Sequence, residues 1–522
     1  MSDYDAIVVG AGHNGLTAAA ILQRGGLRTV CLEANHYAGG MAASLELVDG
    51  FHFEIAGSVQ FPTPGVIRED LGLDTLPTIE PEVMSTNITD SGPPLIFYRD
   101  PVRLMAHLGE AHGNEAVMGM AAMFLWAQAP ARALGRFDVR QPPKTYDEMY
   151  ACATNEQERQ AITDMLFGSV TDVVDRHLPD RDKHASLRAM LAYLAVNTTY
   201  RGPATPGSAA GLAYGLASPP DGMPMMTKFA GGVGALPVHL RRMFTEHGGE
   251  LRLHARVRAI TTANGRISGV QLEDGSTISA PIVVSNLSPD VTLTELVDPS
   301  ALPADLVARV SRVDHRGAYL QMHFALDGRP EFAAPYELLN APGMQESIAL
   351  FSTTEQLQQQ WEECRHGQVP REPSIALQIP SDVDDSLAPP GKHAASAFAL
   401  WFPVEARHGN YNSLRAEMAR RVIAKITRYA PNFEKLIIRN TTFAPMNMQR
   451  MFGAPGGDFC QGLLHPDQIG INRPGPRGFT DLPIPLEGLY LCGAGCHGGP
   501  GISFIPGYNA GYQALADAGR QR

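Results

Sequence analysis

Three glycines near the start of the chain, Gly10, Gly12 and Gly15, have the spacing G-x-G-x-x-G, and an acid, Glu33, follows them. A glycine at 10 permits a tight turn, one at 12 lets a pyrophosphate approach the backbone, and one at 15 lets the next helix pack closely on the preceding strand. A carboxylate at 33 accepts hydrogen bonds from both hydroxyls of a ribose and repels a 2′-phosphate, which disfavours NADP. The elements that must hold these groups are readable around them. Ile7, Val8 and Val9 form a buried β-branched strand, and residues 16–24 form a helix whose N-terminus turns partial positive charge toward phosphates. Gly25 and Gly26 end that helix, and residues 27–32 form a second strand that delivers Glu33. Strand, glycine turn, helix, strand and acid in this order specify a dinucleotide site; alone they do not separate NAD from FAD.

The whole chain bounds the rest. Its 522 residues predict two to four structural units at ~150 residues each. With 44% hydrophobic and 18% charged residues it is globular. A formal charge of −12 and the lack of a Lys/Arg-rich block argue against a nucleic-acid partner. The sequence enters its first strand without a signal-like stretch, has no apolar run of ~18 residues, and scatters six cysteines without a C-x-x-C, all of which point to a cytoplasmic protein. Residues 116–125 are apolar and Met-rich but too short to span a bilayer. They read as a buried or interfacial helix, and peripheral membrane contact is the expectation they raise.

Along the chain, residues 45–55 read as a hairpin turning at Asp49-Gly50. Residues 102–200 read as mostly helical, broken at Pro130 and at Gln141-Pro142-Pro143, and residues 202–222 as a Gly/Pro-rich crossing loop. A glycine-rich turn at 231–237, a helix, strands near 251–253 and 255–261, hairpin turns at Asn264-Gly265 and Asp274-Gly275, and a buried strand at 281–286 follow. Residues 317–326 and 393–402 are strands. In the first, Tyr319, Gln321 and His323 alternate with Leu320, Met322 and Phe324, so one face either lines a pocket or packs on helices. Residues 412–429 form a helix. The glycine-rich segment 488–511 passes from a strand at 489–492 through Gly493, Gly495, Cys496, His497, Gly501 and Ile502 into a last helix.

These segments resemble FAD-dependent phytoene desaturase-like flavoproteins of the amine oxidase superfamily. Gly39-Gly40 just past the ribose acid carries the likeness, as do the 231–286 block, Phe452 to Asp458, Asp467-Gln468 and the 488–509 stretch. The branch indicated is that of the pyridine nucleotide-disulphide oxidoreductase domain-containing proteins. The resemblance implies an α/β fold, with a Rossmann-type FAD-binding domain from residues 1–60, 221–290 and 445–522. It implies an interleaved α+β substrate domain from 61–220 and 291–444. Implied FAD contacts are Gly10, Gly12, Gly15, Glu33, Gly39, Gly40, Val257, Gly493, Gly495, Gly501 and Ile502, with Val257 lending backbone groups to the adenine. The chain departs from the family at Cys496, where Thr, Ala or Ser is usual, and after His497, where Gly498-Gly499-Pro500 follows.

The chemistry implied is flavin-based removal of hydride from a C–H bond of a hydrophobic small molecule, with oxygen or a quinone as electron acceptor. An apolar substrate oriented by packing needs no strong base, consistent with the lack of a Ser-His-Asp or metal motif. His497 is the candidate catalytic residue, holding substrate or moving a proton by the ring; its other reading is an imidazole that only hydrogen-bonds the turn. Cys496 reads as an inert buried thiol or, alternatively, a covalent flavin attachment. Two further readings are a flavin amine oxidase, with Phe504 and Tyr508 as ring-flanking aromatics and Lys228 as the flavin-side lysine, and an isomerising or structural flavoprotein. The sequence does not set the oligomeric state.

Overall fold

A computed structural model describes residues 2–89, 94–219, 221–317, 319–404 and 411–520. Pro220 and Ala318, inside two of the expected segments, lie outside the described residues, as do residues 521 and 522.

The Ala6–Val9 strand is the centre of a five-stranded parallel sheet in the order Leu489–Leu491, Ile282–Ser285, Ala6–Val9, Thr29–Leu32, Glu250–Arg252. Its continuous apolar run is buried on both faces, as a parallel strand requires. Ala6 and Val8 pack with the helices His13–Arg24, Ala235–Glu246 and Ile505–Asp517. Ile7 and Val9 pack instead toward a three-stranded antiparallel sheet, Val257–Ala263, Arg266–Leu272 and Thr277–Ser279. Its first hairpin turns at Asn264 and Gly265 with φ of +52° and +75°, as the Asn-Gly pair demands. The strands Ser44–Val48 and Phe51–Glu54 form the expected hairpin around Asp49-Gly50.

A seven-stranded mixed sheet takes its strands from residues 83–98 and 319–443, in the order Ile437–Phe443, Tyr319–Leu326, His393–Leu400, Ser374–Gln378, Ser347–Leu350, Val83–Ile88, Leu95–Tyr98. The alternation in Tyr319–Leu326 is realised. Leu320, Met322 and Phe324 pack with Met418, Val422 and Ile426 of the Tyr411–Tyr429 helix, whereas Tyr319 turns to the opposite layer and stacks on Phe398 at 4.2 Å. That layer is helical, built mainly from Asn114–Leu134, Glu156–Phe167, Ala185–Thr199 and Ala209–Leu216.

Two local expectations are overturned. Residues 202–222, read as a crossing loop, contain the Ala209–Leu216 helix, whose Ala209, Ala210, Leu212 and Ala213 are buried in the helical layer. Pro130 does not break its helix, which runs from Asn114 through Leu134 and closes at left-handed Gly135. A proline inside a helix costs ~3 kcal/mol; here Ala127, Ala129, Pro130 and Ala133 are all buried, and packing of that face offsets the lost hydrogen bond. The methionine group also divides: Met120 and Met123 are core, while Met118 is exposed together with Phe124 and Leu125.

Candidate functional site

The turn after the central strand is built by its sequence. Gly10 takes φ +91°, which a side chain rarely adopts, and places its own carbonyl under the following helix. A Cβ on Gly12 would lie 2.7 Å from Asn286 Nδ2, so this turn also fits against the end of the Ile282–Ser285 strand. Gly39 and Gly40 both have positive φ, and the Gly39 N–H donates to the Ala11 carbonyl at 2.7 Å. A Cβ on Gly40 would come within 3.2 Å of Gly12 Cα, so the two glycine turns lie against each other. Glu33 is buried. Its Oε2 accepts from the Ala11 N–H and its Oε1 from the Asn35 N–H, both at 2.8 Å. Each oxygen keeps lone pairs for a hydroxyl.

These groups open onto a cavity of about 690 Å³. Gly10, Gly12, Glu33, Gly40, Val257, Gly501 and Ile502 line it; Gly15, Gly39, Gly493, Gly495 and His497 do not. The absent Cβ atoms at Gly493 and Gly495 make room for protein rather than ligand, because they would stand 2.4 Å from the carbonyl oxygens of Leu287 and Gln461 respectively. Between them, Ala494 reaches the cavity wall. Its carbonyl, with those of Cys460, Gly462, Gln468 and Cys496, accepts from the buried Arg473 guanidinium at 2.7–3.5 Å. A single Arg among loop residues carries no spacing signal, so its holding of this turn is not readable in the sequence.

His497 faces the end of the Asn114–Leu134 helix, with Gly135 as a hydrogen-bonding partner. Burial, reinforced by the nearby Arg473 charge, pulls its imidazole down to about 4, so it is neutral at physiological pH. Cys496 packs in the core with Ile7, Val9 and Leu491, and burial pushes its thiol up to about 12. Phe504 and Tyr508 are buried among the helices beside the parallel sheet, and Phe504 meets the His13 ring edge-on at 5.9 Å. Lys228 does not line the cavity; it is ion-paired with Glu346 at 2.5 Å in a separate chamber.

Beyond the nucleotide cradle the cavity wall passes to the mixed sheet and the helical layer. Phe61, Tyr193, Met225, Ala376, Phe398 and Phe459 supply apolar surface there, and Ser58, Asn197 and Gln378 supply neutral polar groups. Of the carboxylates of the wall, Glu33 and Asp290 belong to the nucleotide-binding segments, and Glu295 lies just past residue 290, in the Thr292–Leu296 turn that packs on the Val257–Ala263 strand. Asp290 is held by His315, whose Nε2 lies 3.1 Å from its Oδ2 and whose Nδ1 lies 3.3 Å from Asp458 Oδ2. Burial lowers the His315 pKa, but the two carboxylates outweigh it and raise it to about 9. Phe61, Tyr193, Ala376, Asn197 and Gln378 were not singled out from the sequence. Phe398 had a signal in the apolar His393–Leu400 strand, but which face a strand turns to a cavity depends on the layers on either side.

A Rossmann-type fold whose cavity runs on from the glycine turns to a mixed sheet is suited to an enzyme that holds a dinucleotide beside its substrate. The model for the flavin containing amine oxidoreductases matches residues 15–514, and the chain belongs to that family. It is 30% identical to the rat (Rattus norvegicus) pyridine nucleotide-disulfide oxidoreductase domain-containing protein 2, over 99% of this chain and 94% of that protein. It is 26% identical to the phytoene desaturase (lycopene-forming) of Pseudescherichia vulneris, over 98% of each. Its fold matches that of an oxidoreductase from Methanosarcina mazei, with a TM-score of 0.61 at 15% identity over 98% of this chain and 100% of that one. It also matches putrescine oxidase bound to putrescine, with a TM-score of 0.58 at 15% identity over 99% of each. The protein is an FAD-dependent oxidoreductase.

The residues present fit FAD. Gly10, Gly12 and Gly40 leave backbone open where a pyrophosphate passes, the Glu33 carboxylate faces the cavity for a ribose, and the cavity continues past the cradle to house the ring. Among the described residues, no helix is long and apolar enough to cross a membrane, and no group of His, Cys, Asp and Glu is arranged to hold a metal ion.

Proposed function

We propose that the protein dehydrogenates a hydrophobic small molecule, removing hydride from one C–H bond and a proton from another. The observation that carries this reading is the wall beyond the cradle, where Phe61, Tyr193, Met225, Phe398 and Phe459 surround only neutral polar groups. When bound, FAD supplies the two-electron acceptor. The chain's part is to bind, orient and keep water out. Phe398 is fixed by its stack on Tyr319, itself backed by Phe459 at 5.8 Å, so a substrate pressed on this wall meets a rigid surface. Tyr193 stacks on Phe351 at 3.7 Å and holds the opposite layer in the same way. Relatives named phytoene desaturase (lycopene-forming) and hydroxyneurosporene desaturase support the reaction class.

The test is anaerobic bleaching of the flavin by alkenes, alcohols and amines of matched size. Bleaching by the apolar compounds is the expected result. Bleaching by amines alone selects the amine oxidase reading, which the family name favours but for which this wall supplies no carboxylate to meet an ammonium. A product formed without net electron transfer selects isomerisation. We assign oxygen or a quinone as the acceptor, to be separated by reoxidation under each. We also assign a peripheral membrane contact to the Asn114–Leu134 helix, where exposed Met118, Phe124 and Leu125 would meet a surface from which such a substrate is drawn. A protein that fails to float with liposomes refutes that contact.

A further inference from the structure

Beside the main cavity lies a second, smaller chamber of about 20 Å³, room for roughly one water-sized molecule. Ser58 lines both spaces, and it is the link between them. Its hydroxyl donates to Gln378 Oε1 on the main-cavity side. The chamber collects charge that the reading above leaves unused: Glu54 at the end of its hairpin strand, Lys228, Glu346 and Asp384, all buried or nearly so. Three carboxylates face one ammonium, so the group has the capacity to hold one further proton.

The ion pair and the hydrogen bonds separate the three acids. Glu346 is ion-paired through Oε1 with Lys228 at 2.5 Å, and its Oε2 has no hydrogen-bond partner among the described residues. Asp384 accepts on both oxygens, from the Gly231 N–H on one and from the Ser386 N–H and hydroxyl on the other. Glu54 accepts from the Val233 N–H through Oε1 at 2.7 Å, and its Oε2 has no such commitment. A separate observation points to a hydrogen-bond donor inside the chamber. Gln60 is 1% exposed and lines the chamber, and its amide oxygen has no partner among the described residues.

We propose that Glu54 accepts the proton released in the main cavity, delivered through the Ser58 hydroxyl and the chamber beside it. The proposal rests on the dehydrogenase reading. Of the two hydrogens that would leave the substrate, one would depart with its bonding electrons, for which FAD, when bound, would be the two-electron acceptor. The other departs as a proton, and the electron pair of its C–H bond becomes the second bond of the C=C. For this Ser58 turns its hydroxyl from Gln378 Oε1 into the chamber, gives its own proton toward the Glu54 carboxylate, which ends as the neutral acid, and takes the substrate proton on the cavity side. Glu54 thus acts through Ser58, and its role is to receive and hold.

The electrostatics agree. Burial raises the Glu54 pKa to about 7, with Lys228 pulling it down and Glu346 and Asp384 pushing it up. Burial lowers the Lys228 pKa, but Glu346 and Glu54 outweigh it, so the lysine stays charged; Arg99 acts on it at longer range in the opposite sense.

The experiment uses the FAD-loaded full chain and needs no substrate. Glu54 ionisation is followed by carboxyl infrared or ¹³C-Glu NMR titration, and the flavin midpoint potential is measured against reference dyes over a pH series. Glu54→Gln keeps the Oε1 acceptor for Val233. The expected result is a titration near 7 in the parent that is missing in E54Q, shifted up in K228M and shifted down in E346Q. A break near the same pH in the potential-against-pH plot is expected in the parent and lost in E54Q. A Glu54 midpoint in the ordinary carboxylate range overturns the proposal. So do parallel potential plots for the parent and E54Q, which would show that the chamber does not sense the cofactor. If both signatures are present but no hydrophobic compound bleaches the flavin, the dehydrogenase reading falls and with it the substrate as the proton's source, while the link from chamber to cofactor stands.

Discussion

Gly15 faces the carbonyl oxygen of Gly10 so closely that a methyl group added at residue 15 would stand 2.0 Å from it. That oxygen belongs to the turn that cradles the pyrophosphate, so the first helix and the cradle cannot be moved independently. Gly15→Ala should push the helix off the turn, at the ~1–3 kcal/mol typical of overpacking. The expected outcome is a ten- to roughly hundred-fold loss of FAD affinity, measured by titrating FAD into apoprotein. Unchanged affinity would show that the turn yields without cost.

Glu33 offers a second handle on the cofactor. Both oxygens are fixed by backbone N–H groups, so Glu33→Gln turns an NH₂ group toward one of those donors. A buried donor left without an acceptor costs about 1–3 kcal/mol. FAD affinity should fall accordingly, and the variant should no longer discriminate against a 2′-phosphorylated dinucleotide in competition assays. Retained discrimination would move the selectivity to another group.

His315 makes stability depend on pH. Folding raises its pKa from 6.5 to about 9, so the native state holds the proton more tightly than the unfolded chain. The stabilisation is complete below about pH 6.5 and is lost as pH rises through about 9. Its size is on the order of 2–3 kcal/mol. His315→Ala should therefore lower the melting temperature at pH 6 and differ little from the parent well above pH 9. A pH-independent difference between the two proteins would refute the ion-pair origin.

His497→Ala should leave both FAD content and substrate-driven bleaching within about two-fold of the parent, because the imidazole is outside the cavity wall and neutral. A large fall in the bleaching rate with FAD retained would return His497 to the reaction.

The nucleotide half of the site was legible because its chemistry is local. Gly10, Gly12, Gly15 and Glu33 act within one strand-turn-helix-strand unit, where spacing along the chain is spacing in space. Val257 and Ile502 followed from the resemblance, and both line the cavity. The reading lost accuracy where long-range packing decides. Gly493 and Gly495 looked like ligand-approach positions, but the backbones they clear belong to Leu287 and Gln461. The helix expected to stop at Pro130 continues because its buried face is worth more than one hydrogen bond. Tyr193, Phe398 and Ser58 come from three distant segments, and nothing in any one of them marks a shared wall.

The five-stranded sheet has an implication for how the chain matures. One edge strand, Glu250–Arg252, arrives midway, and the other, Leu489–Leu491, arrives almost last. Until then Ile282–Ser285 presents an unpaired hydrophobic rim, of the kind that seeds association between nascent molecules. The final helix is also late: Gly507 fits against the Asn14 carbonyl, 2.2 Å from where a Cβ would be, so the first helix stays uncovered over the same interval. During translation the N-terminal half-site must therefore wait, partly exposed, for a partner made at the end. Clipping the chain just before Leu489, which removes the edge strand and the last helix together, would leave a sticky, open rim in place of a smaller enzyme.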